Sequence, residues 1–396
     1  MKILHTSDWH LGQNFMGKSR VEEHEAFLSW LLDVIKEKQI EVLLVSGDIF
    51  DTGTPPNYAL ELYYNFLKEL SSIKTLITTI ITAGNHDSIS TLKAPKQLLE
   101  VLNVHVITSG DEDENVIIPI YKNENLKTIV CAVPFLRDSV IREALEGQTL
   151  SQKEQQANNG IKAYYENCYK KALEVKKHKH IPIIAMGHLT TVGGRTSQSE
   201  RDIYIGGTID IGGDYLASMF DYVALGHLHI NQTVKNNHVR YSGSPIPLSF
   251  SESKNTQKVN LITFQEITIE IKELEIPLFR KLIVIKGNAQ TIKNELAKIE
   301  HKNSWIEVHI KDDNAMFVNG EIRELASQLE LTLLAVKIDK SEKQLVADDL
   351  KVISLDELSV EQVFEKRLQI DNLEDKEFKS KLITNFKQIV SKVLCL

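Results

Sequence analysis

Cysteine is scarce in this chain of 396 residues: Cys131, Cys168 and Cys395 are the only three, and no two form a CxxC pair. That excludes a disulfide framework and a cysteine zinc site, and it fits a reducing compartment. Positive charge is also short. Lys and Arg number 46 against 54 Asp and Glu, a net charge of -8. The overall field therefore repels nucleic acid, and any DNA contact has to come from a local site, a metal or a partner. No stretch approaches the roughly 18 uncharged apolar residues of a membrane span. The opening Met1-Lys2-Ile3-Leu4-His5 has no apolar signal-peptide core. A soluble, cytoplasmic protein is expected. Hydrophobic residues at 42% and charged residues at 25% are ordinary for globular proteins, and the length predicts two or three domains.

What is present is a series of short apolar runs that end in polar, glycine-flanked loops. Ile3 to His5, Val42 to Val45, Leu76 to Thr82, Ile129 to Val133, Ile183 to Met186 and Tyr222 to Leu225 read as buried strands. Val21 to Lys38 and Tyr58 to Leu70 carry apolar residues at helical spacing. Strands alternating with amphipathic helices predict an α/β domain over residues 1–270, in which ligands collect at the carboxyl ends of strands. From Ile271 the pattern changes. Strand-like runs Leu282 to Ile285, Ile306 to Ile310 and Leu331 to Ile338 surround one helical stretch, Ala289 to Ile299, predicting a small α+β module over 271–354. Residues 355–396 hold two apolar stripes, Val360, Val363, Phe364 and Leu368, then Phe378, Leu382, Phe386, Ile389 and Val393. These predict a helical pair docked on a partner. Gly193 to Gly213 holds six of the 19 glycines and reads as a mobile loop.

The loops at the strand ends carry metal-type residues: Asp8-Trp9-His10, Gly47-Asp48, Gly84-Asn85-His86-Asp87, His188 after Met186-Gly187, and Gly226-His227-Leu228-His229. Residues i and i+2 of a strand point to one side, so Asp8 with His10, and His227 with His229, would each aim two ligands at one place if the chain stays extended. One such residue alone reads as a cap, a turn or a surface group. Five glycine-flanked segments in this order read together as a metal centre. Asp, Asn and His without Cys point to Mn, Fe or Zn, with Mn favoured by the oxygen ligands. Two divalent ions against the carboxylates of Asp8 and Asp48 leave a positive centre that a hydroxide and a phosphodiester would neutralise, which is the chemistry of metal-assisted phosphoester hydrolysis. His5, His24, His105, His238, His301 and His309 have no such context and read as ordinary. The lysines Lys170, Lys171 and Lys176 near His180 read as a solvated helix face rather than a DNA contact.

Gly12 to Ser19 also matches the Walker A pattern. The ligand pair Asp8 and His10 intervenes between the strand and the first glycine, and Ser46-Gly47-Asp48 does not place an Asp directly on its strand to hold magnesium. An ATPase is therefore disfavoured, and Lys18 and Arg20 are left close enough in sequence to the metal residues to touch a phosphate backbone.

With Asp8-x-His10, Gly47-Asp48, Gly84-Asn85-His86-Asp87, His188 and Gly226-His227-x-His229, the chain resembles the calcineurin-like metallophosphoesterases. In the longer strings His5 to Gly12, Gly47 to Asp51 and Tyr241-Ser242-Gly243-Ser244-Pro245 it resembles the SbcD family, nuclease subunits of bacterial SbcCD complexes. The resemblance implies an α/β fold: a four-layer metallophosphoesterase sandwich (1–270), a small α+β capping domain (271–354) and C-terminal helices (355–396) that bind the coiled-coil base of an SbcC-like ATPase. It implies two Mn2+ ions, with Mg2+ as the alternative, one held by Asp8, His10 and His229 and the other by Asn85, His188 and His227, with Asp48 bridging. It implies that His86 stabilises charge or protonates the leaving oxygen and that Asp51 orients it as a carboxylate; Asp87 is assigned no role, a cap of the next helix being the plain reading. The implied activity is exonuclease on double-stranded DNA and endonuclease on single-stranded and hairpin DNA, in recombination, replication and break processing, by a complex holding two nuclease subunits. The alternative is a phosphoesterase for small molecules or phosphoproteins.

Overall fold

A computed structural model describes residues 1–338 apart from 112–113, 143–148, 178–179, 192, 198, 201–210, 266–267 and 313, together with 382 and 386. The chain begins with β1 (Lys2–Thr6), a small hairpin of β2 (Asn14–Phe15) and β3 (Lys18–Ser19), α1 (Val21–Lys38), β4 (Val42–Ser46), α2 (Asn57–Ser71), β5 (Thr78–Thr82), α3 (Ile89–Lys93), α4 (Lys96–Val101) and β6 (Val104–Ile107). It continues with β7 (Ile117–Lys122), β8 (Asn125–Ala132), α5 (Asp138–Ile141), α6 (Leu150–Lys176), β9 (Ile183–His188), α7 (Gly213–Ala217), β10 (Tyr222–Gly226), β11 (Gln232–Val234) and β12 (Asn236–Tyr241). A 3-10 turn, Phe250–Glu252, precedes β13 (Lys258–Gln265) and β14 (Thr268–Glu275).

These strands form two six-stranded sheets, ordered β14-β13-β1-β4-β5-β6 and β11-β12-β10-β9-β8-β7. β4, β5, β9 and β10 are buried along their whole length, which is why they read as unbroken apolar runs rather than alternating ones. Side chains of the first sheet divide by parity. Ile3, Val42, Leu44 and Ile80 pack against the second sheet and, through it, α6, whereas Leu4, Leu43, Val45 and Ile81 pack under α1 and α2. The result is the four-layer α/β sandwich expected. Polar groups pin the two sheets together near the strand ends. His5 Nε2 lies 3.2 Å from the Leu225 carbonyl, which can only accept, so Nδ1 accepts from the Tyr222 hydroxyl at 2.9 Å. Burial holds this histidine neutral, pushed down to about 3.

The domain boundary expected at 270/271 falls inside β14, which pairs with β13 from Gln265↔Thr268 to Lys258↔Glu275. The first domain therefore runs to Glu275. Glu270, Lys272, Glu273 and Glu275 are the charges of an edge strand, where charge blocks sheet-to-sheet association.

The second module is β15 (Leu282–Gly287), α8 (Ala289–Ala297), β16 (Trp305–Ile310), α9 (Ala315–Gln328) and β17 (Thr332–Ile338). Its three strands are all parallel, so each is joined to the next by a helical crossover, and the module is β-α-β-α-β rather than α+β. Sequence reading passed over α9. Its buried stripe of Ala315, Val318, Ile322 and Ala326 is half alanine, and the large apolar residues Met316 and Phe317 are exposed, so the periodicity is masked. The helices expected over 355–396 lie outside the described residues except Leu382 and Phe386, which are helical and half-buried. Of the Gly193 to Gly213 segment, 201–210 likewise lie outside them. Among the described residues no helix is long and apolar enough to cross a membrane.

The Walker-like string is resolved by backbone geometry. Asn14 pairs with Ser19 and Phe15 with Lys18, joined by Met16 (φ 49°) and Gly17 (φ 83°). Positive φ at both central residues is the signature of a tight hairpin turn, not of a loop wrapping a phosphate. Lys18 is exposed to solvent. Arg20 is fully buried and so is not available to a phosphate backbone. Titrating ATP into the purified chain should give no saturable heat; saturable binding that disappears in Lys18→Ala would restore the P-loop reading.

Candidate metal centre

β1, β4, β5, β9 and β10 end along one edge; His188 is the last residue of β9, and the other metal-type residues sit on the first turn beyond their strands. Three sets of potential ligand atoms lie within 4.8 Å of one another: Asp8, His10 and His229; His10, Asp48 and His86; and Asp48, His188 and His227. The sets share His10 and Asp48, so they form one continuous centre. Asp48 Oδ2 lies 3.6 Å from His10 Nε2 and 3.3 Å from His188 Nε2. Asn85 adds an amide oxygen 3.0 Å from His188 Nε2. All seven expected ligands are thus brought together, and His86 with them.

The backbone is not extended there. Asp8 (φ 52°), His10 (φ 47°), Asp48 (φ 49°) and His227 (φ 97°) all take positive φ, at a cost on the order of 1 to 3 kcal/mol each. The left-handed turns break the i, i+2 rule used on the sequence. Asp8 and His10 still meet, but His227 and His229 turn to different sets. Two glycines make room: a Cβ on Gly47 would collide with the His188 ring, and one on Gly84 with the Asp48 carboxylate. Substituents are excluded where the strand ends pack directly behind the centre.

Hydrogen bonds orient the side chains. Asp8 Oδ1 accepts from the His227 N–H at 2.8 Å and Oδ2 from the Ser7 hydroxyl at 2.5 Å. Asp48 Oδ1 accepts from the His86 N–H at 2.9 Å. His188 Nδ1 donates to the Ser46 carbonyl at 3.0 Å and His86 Nδ1 to the Asp51 carbonyl at 2.7 Å, leaving Nε2 of each ring facing the centre. His10 is buried with neither ring nitrogen hydrogen-bonded, although carboxylate oxygens of Asp48 and Asp51 stand 3.6 and 3.2 Å from them; a cation bound there would give the ring a direct partner. Burial lowers His188, but the Asp48 carboxylate outweighs it and draws the ring up to about 9. Burial likewise lowers His229, while Glu252 and Asp8 draw it up to about 9. Burial raises Asp48, yet His188, His10 and His86 pull it well below the usual carboxylate range. Carboxylates and imidazoles this closely matched fit divalent cations, which would displace the protons held on His188 and His229.

Residues 1–231 match the calcineurin-like phosphoesterase family, and 278–372 match a domain described as the type 5 capsule protein repressor C-terminal domain. The SbcD component of the Escherichia coli K12 nuclease SbcCD is 38% identical over 385 residues, 95% of this chain and 94% of that protein. The chain belongs to the SbcD family of calcineurin-like phosphoesterases. Two further members, from Rhodobacter capsulatus and Bacillus subtilis, are 36% identical over 277 residues and 31% identical over 336, covering 66% and 84% of this chain and 66% and 81% of theirs.

Three features of this family member escaped sequence reasoning. Asp51 meets both histidines: its backbone carbonyl accepts from His86 Nδ1 at 2.7 Å, and its Oδ1 lies 3.2 Å from His10 Nδ1, a second contact the sequence did not signal. Asp87 does not cap α3, because Ser88 does, accepting from the Thr91 N–H at 3.3 Å. Instead the Asp87 carboxylate accepts from the N–H groups of Ile49, Phe50 and Gly84 at 3.1, 3.0 and 2.8 Å, clamping the Asp48 turn to the Asn85 turn. Burial and the neighbouring Asp48 push it up to about 6. Glu252 is fully buried and accepts from the Ser199 hydroxyl, which contacts His229 Nδ1 at 2.7 Å. Glu200 accepts from the His229 N–H at 2.8 Å. Adjacency in Asn85-His86-Asp87 was a signal for Asp87; Glu252 stands far from every ligand in sequence and had none. Asp87→Ala leaves three buried donors unpaired and should lower unfolding stability by about 3 kcal/mol, read from the urea midpoint of the metal-free chain; an unchanged midpoint would remove Asp87 from this role.

Proposed function

We propose that this chain is the nuclease subunit of an SbcCD-type complex, a divalent-metal-dependent phosphodiesterase that cuts DNA. The observation that carries the reading is the Asp48 carboxylate, which faces His10 on one side and His188 on the other, as a group shared between two cations must. Asp8, His10 and His229 would hold one ion and Asn85, His188 and His227 the second, with Asp48 bridging. Mn2+ is the proposed metal, in keeping with the mixed carboxylate, amide and imidazole set, with Mg2+ as the alternative. The ions would supply an activated water and a clamp on the phosphoryl oxygens.

The remaining work falls to the chain's own groups. His86, half-buried and hydrogen-bonded through Nδ1, presents Nε2 to the reacting phosphate and donates a proton or a hydrogen bond to the oxygen that gains charge. Asp51 holds this ring through its carbonyl and steadies His10 with its carboxylate. The acidic chain relies on an SbcC-like ATPase for ATP hydrolysis and much of the grip on DNA, docked through residues 355–396, in the cytoplasm. The proposed reactions are exonuclease action on duplex ends and endonuclease action on single-stranded and hairpin DNA, in recombination, replication and break processing.

The deciding experiment incubates the purified chain, with and without the partner ATPase, with hairpin DNA and Mn2+, beside p-nitrophenyl phosphate monoester. Cleavage of DNA with little monoester turnover is expected; the reverse selectivity would establish a small-molecule phosphoesterase instead. Two variants assign the roles. Asp48→Ala should lose both ions by metal analysis. His86→Gln should keep both while turnover on DNA falls by about 100-fold or more, and a loss of metal in this variant would make His86 a ligand.

A further inference from the structure

The second module meets the first at a buried aromatic stack beside the metal centre. Trp305, the first residue of β16, is 4% exposed and lies parallel to Phe15 of the hairpin, with ring centroids 5.4 Å apart and planes 16° apart. Phe15 in turn meets Phe250 edge-on at 5.2 Å. The four buried side chains Phe15, Phe250, Leu282 and Trp305 form a hydrophobic cluster of their own, separate from the cores of the two modules. Two cations complete it. Arg20 lies 5.2 Å from the Phe15 ring and 5.4 Å from that of Trp305, and Arg280 lies 4.7 Å from Trp305. Both guanidinium groups are tied to α1. Arg20 donates to Glu23 Oε1 from Nε at 2.9 Å and from Nη2 at 2.6 Å. Arg280 Nε lies 3.1 Å from Glu23 Oε2, and its Nη2 donates to Glu22 at 2.8 Å.

Both aromatic partners of this stack flank the centre. Phe15 follows Asp8 and His10 by a few residues, and Phe250 belongs to the turn whose Glu252 supports His229 through Ser199. Phe15 and Phe250 also line a cleft of about 370 Å³, to which the first module contributes His10, His86 and His229 and the second contributes Glu307 and Lys337. Lys337 pairs with Glu307 at 2.8 Å, so the second module brings an ion pair to the same cleft as the metal-type residues. Trp305 itself does not line the cleft.

We propose that Trp305 is a positioning residue: by stacking on Phe15 it fixes the second module over the cleft, so that a polymeric phosphodiester is gripped by both modules while a small diester needs only the first. This rests on the nuclease reading above. Without Trp305, Arg280 loses its aromatic partner and Arg20 keeps only Phe15, the second module is released from the hairpin, and a substrate long enough to touch both modules loses the second contact.

The test compares wild type, Trp305→Ala, Trp305→Phe and Arg280→Gln in the full-length chain, loaded with Mn2+, on a DNA hairpin and on bis-p-nitrophenyl phosphate. For Trp305→Ala, metal content and kcat/KM on the small diester should stay within about twofold of wild type. KM on the hairpin should rise by about tenfold or more, with a smaller change in kcat. Trp305→Phe keeps a ring on Phe15 and should restore most of the KM; Arg280→Gln, which leaves the hydrophobic cluster intact, should show a weaker form of the Ala phenotype. Equal losses on both substrates, or no loss on either, would overturn the proposal, and if Trp305→Ala fails to fold the Phe and Gln variants decide it by the same split. A wild-type chain that hydrolyses the small diester but never DNA would instead sink the nuclease reading.

Discussion

Asp48 is the point on which the centre turns. Its carboxylate faces both halves of the ligand set, and it stands there because the chain leaves β4 through a glycine and a left-handed residue, Gly47 at φ 83° and Asp48 at φ 49°. That turn is held from outside by Asp87, whose two oxygens take three backbone N–H groups, and from inside by the His86 amide on Asp48 Oδ1. A buried carboxylate surrounded by three imidazoles is electrostatically satisfied only with positive charge nearby. Divalent ions held there would supply it.

The rest of the sandwich follows from the need to bring five strand ends to one place without exposing them. Packing two sheets face to face buries both faces of the central strands, so each can be uniformly apolar and short. The polar pins between the sheets, His5 with Tyr222 and Ser46 with the Ala224 carbonyl at 3.0 Å, lie just below the centre and align the two sheets where alignment matters. Strained backbone at Asp8, His10, Asp48 and His227 is tolerated because rigid strands and a dense core hold each turn on both sides.

Substrate scope is set a shell further out. The hairpin after His10 and the turn carrying Glu252 both reach from the ligands to the second module, and both end in the aromatic cluster around Trp305. The metal-type residues and the second module are therefore mechanically connected through a few buried rings and two arginines, rather than through the covalent linker alone.

The sequence by itself determined the central strands β1, β4, β5, β8, β9 and β10, the three strands of the second module and the helices α1 and α2, though not the longer α6, together with the metal-type residues and their order, because burial on both faces writes a β-branched or apolar run and four of the five ligand turns carry an adjacent glycine. Asp8-x-His10 and Gly84-Asn85-His86-Asp87 are local statements and were legible as such. The pairing of His229 with Asp8 and His10, but of His227 with Asp48 and His188, was legible only through the family resemblance, since extended geometry pointed the other way. Tertiary structure alone decided the rest. The left-handed turns, the Asp87 clamp, the support of His229 by Ser199 and Glu252, the membership of β14 in the first sheet and the stack of Trp305 on Phe15 all join residues far apart in the chain or depend on what packs behind them. No periodicity or spacing encodes such contacts; they exist only once two sheets and a third module have closed around the same edge.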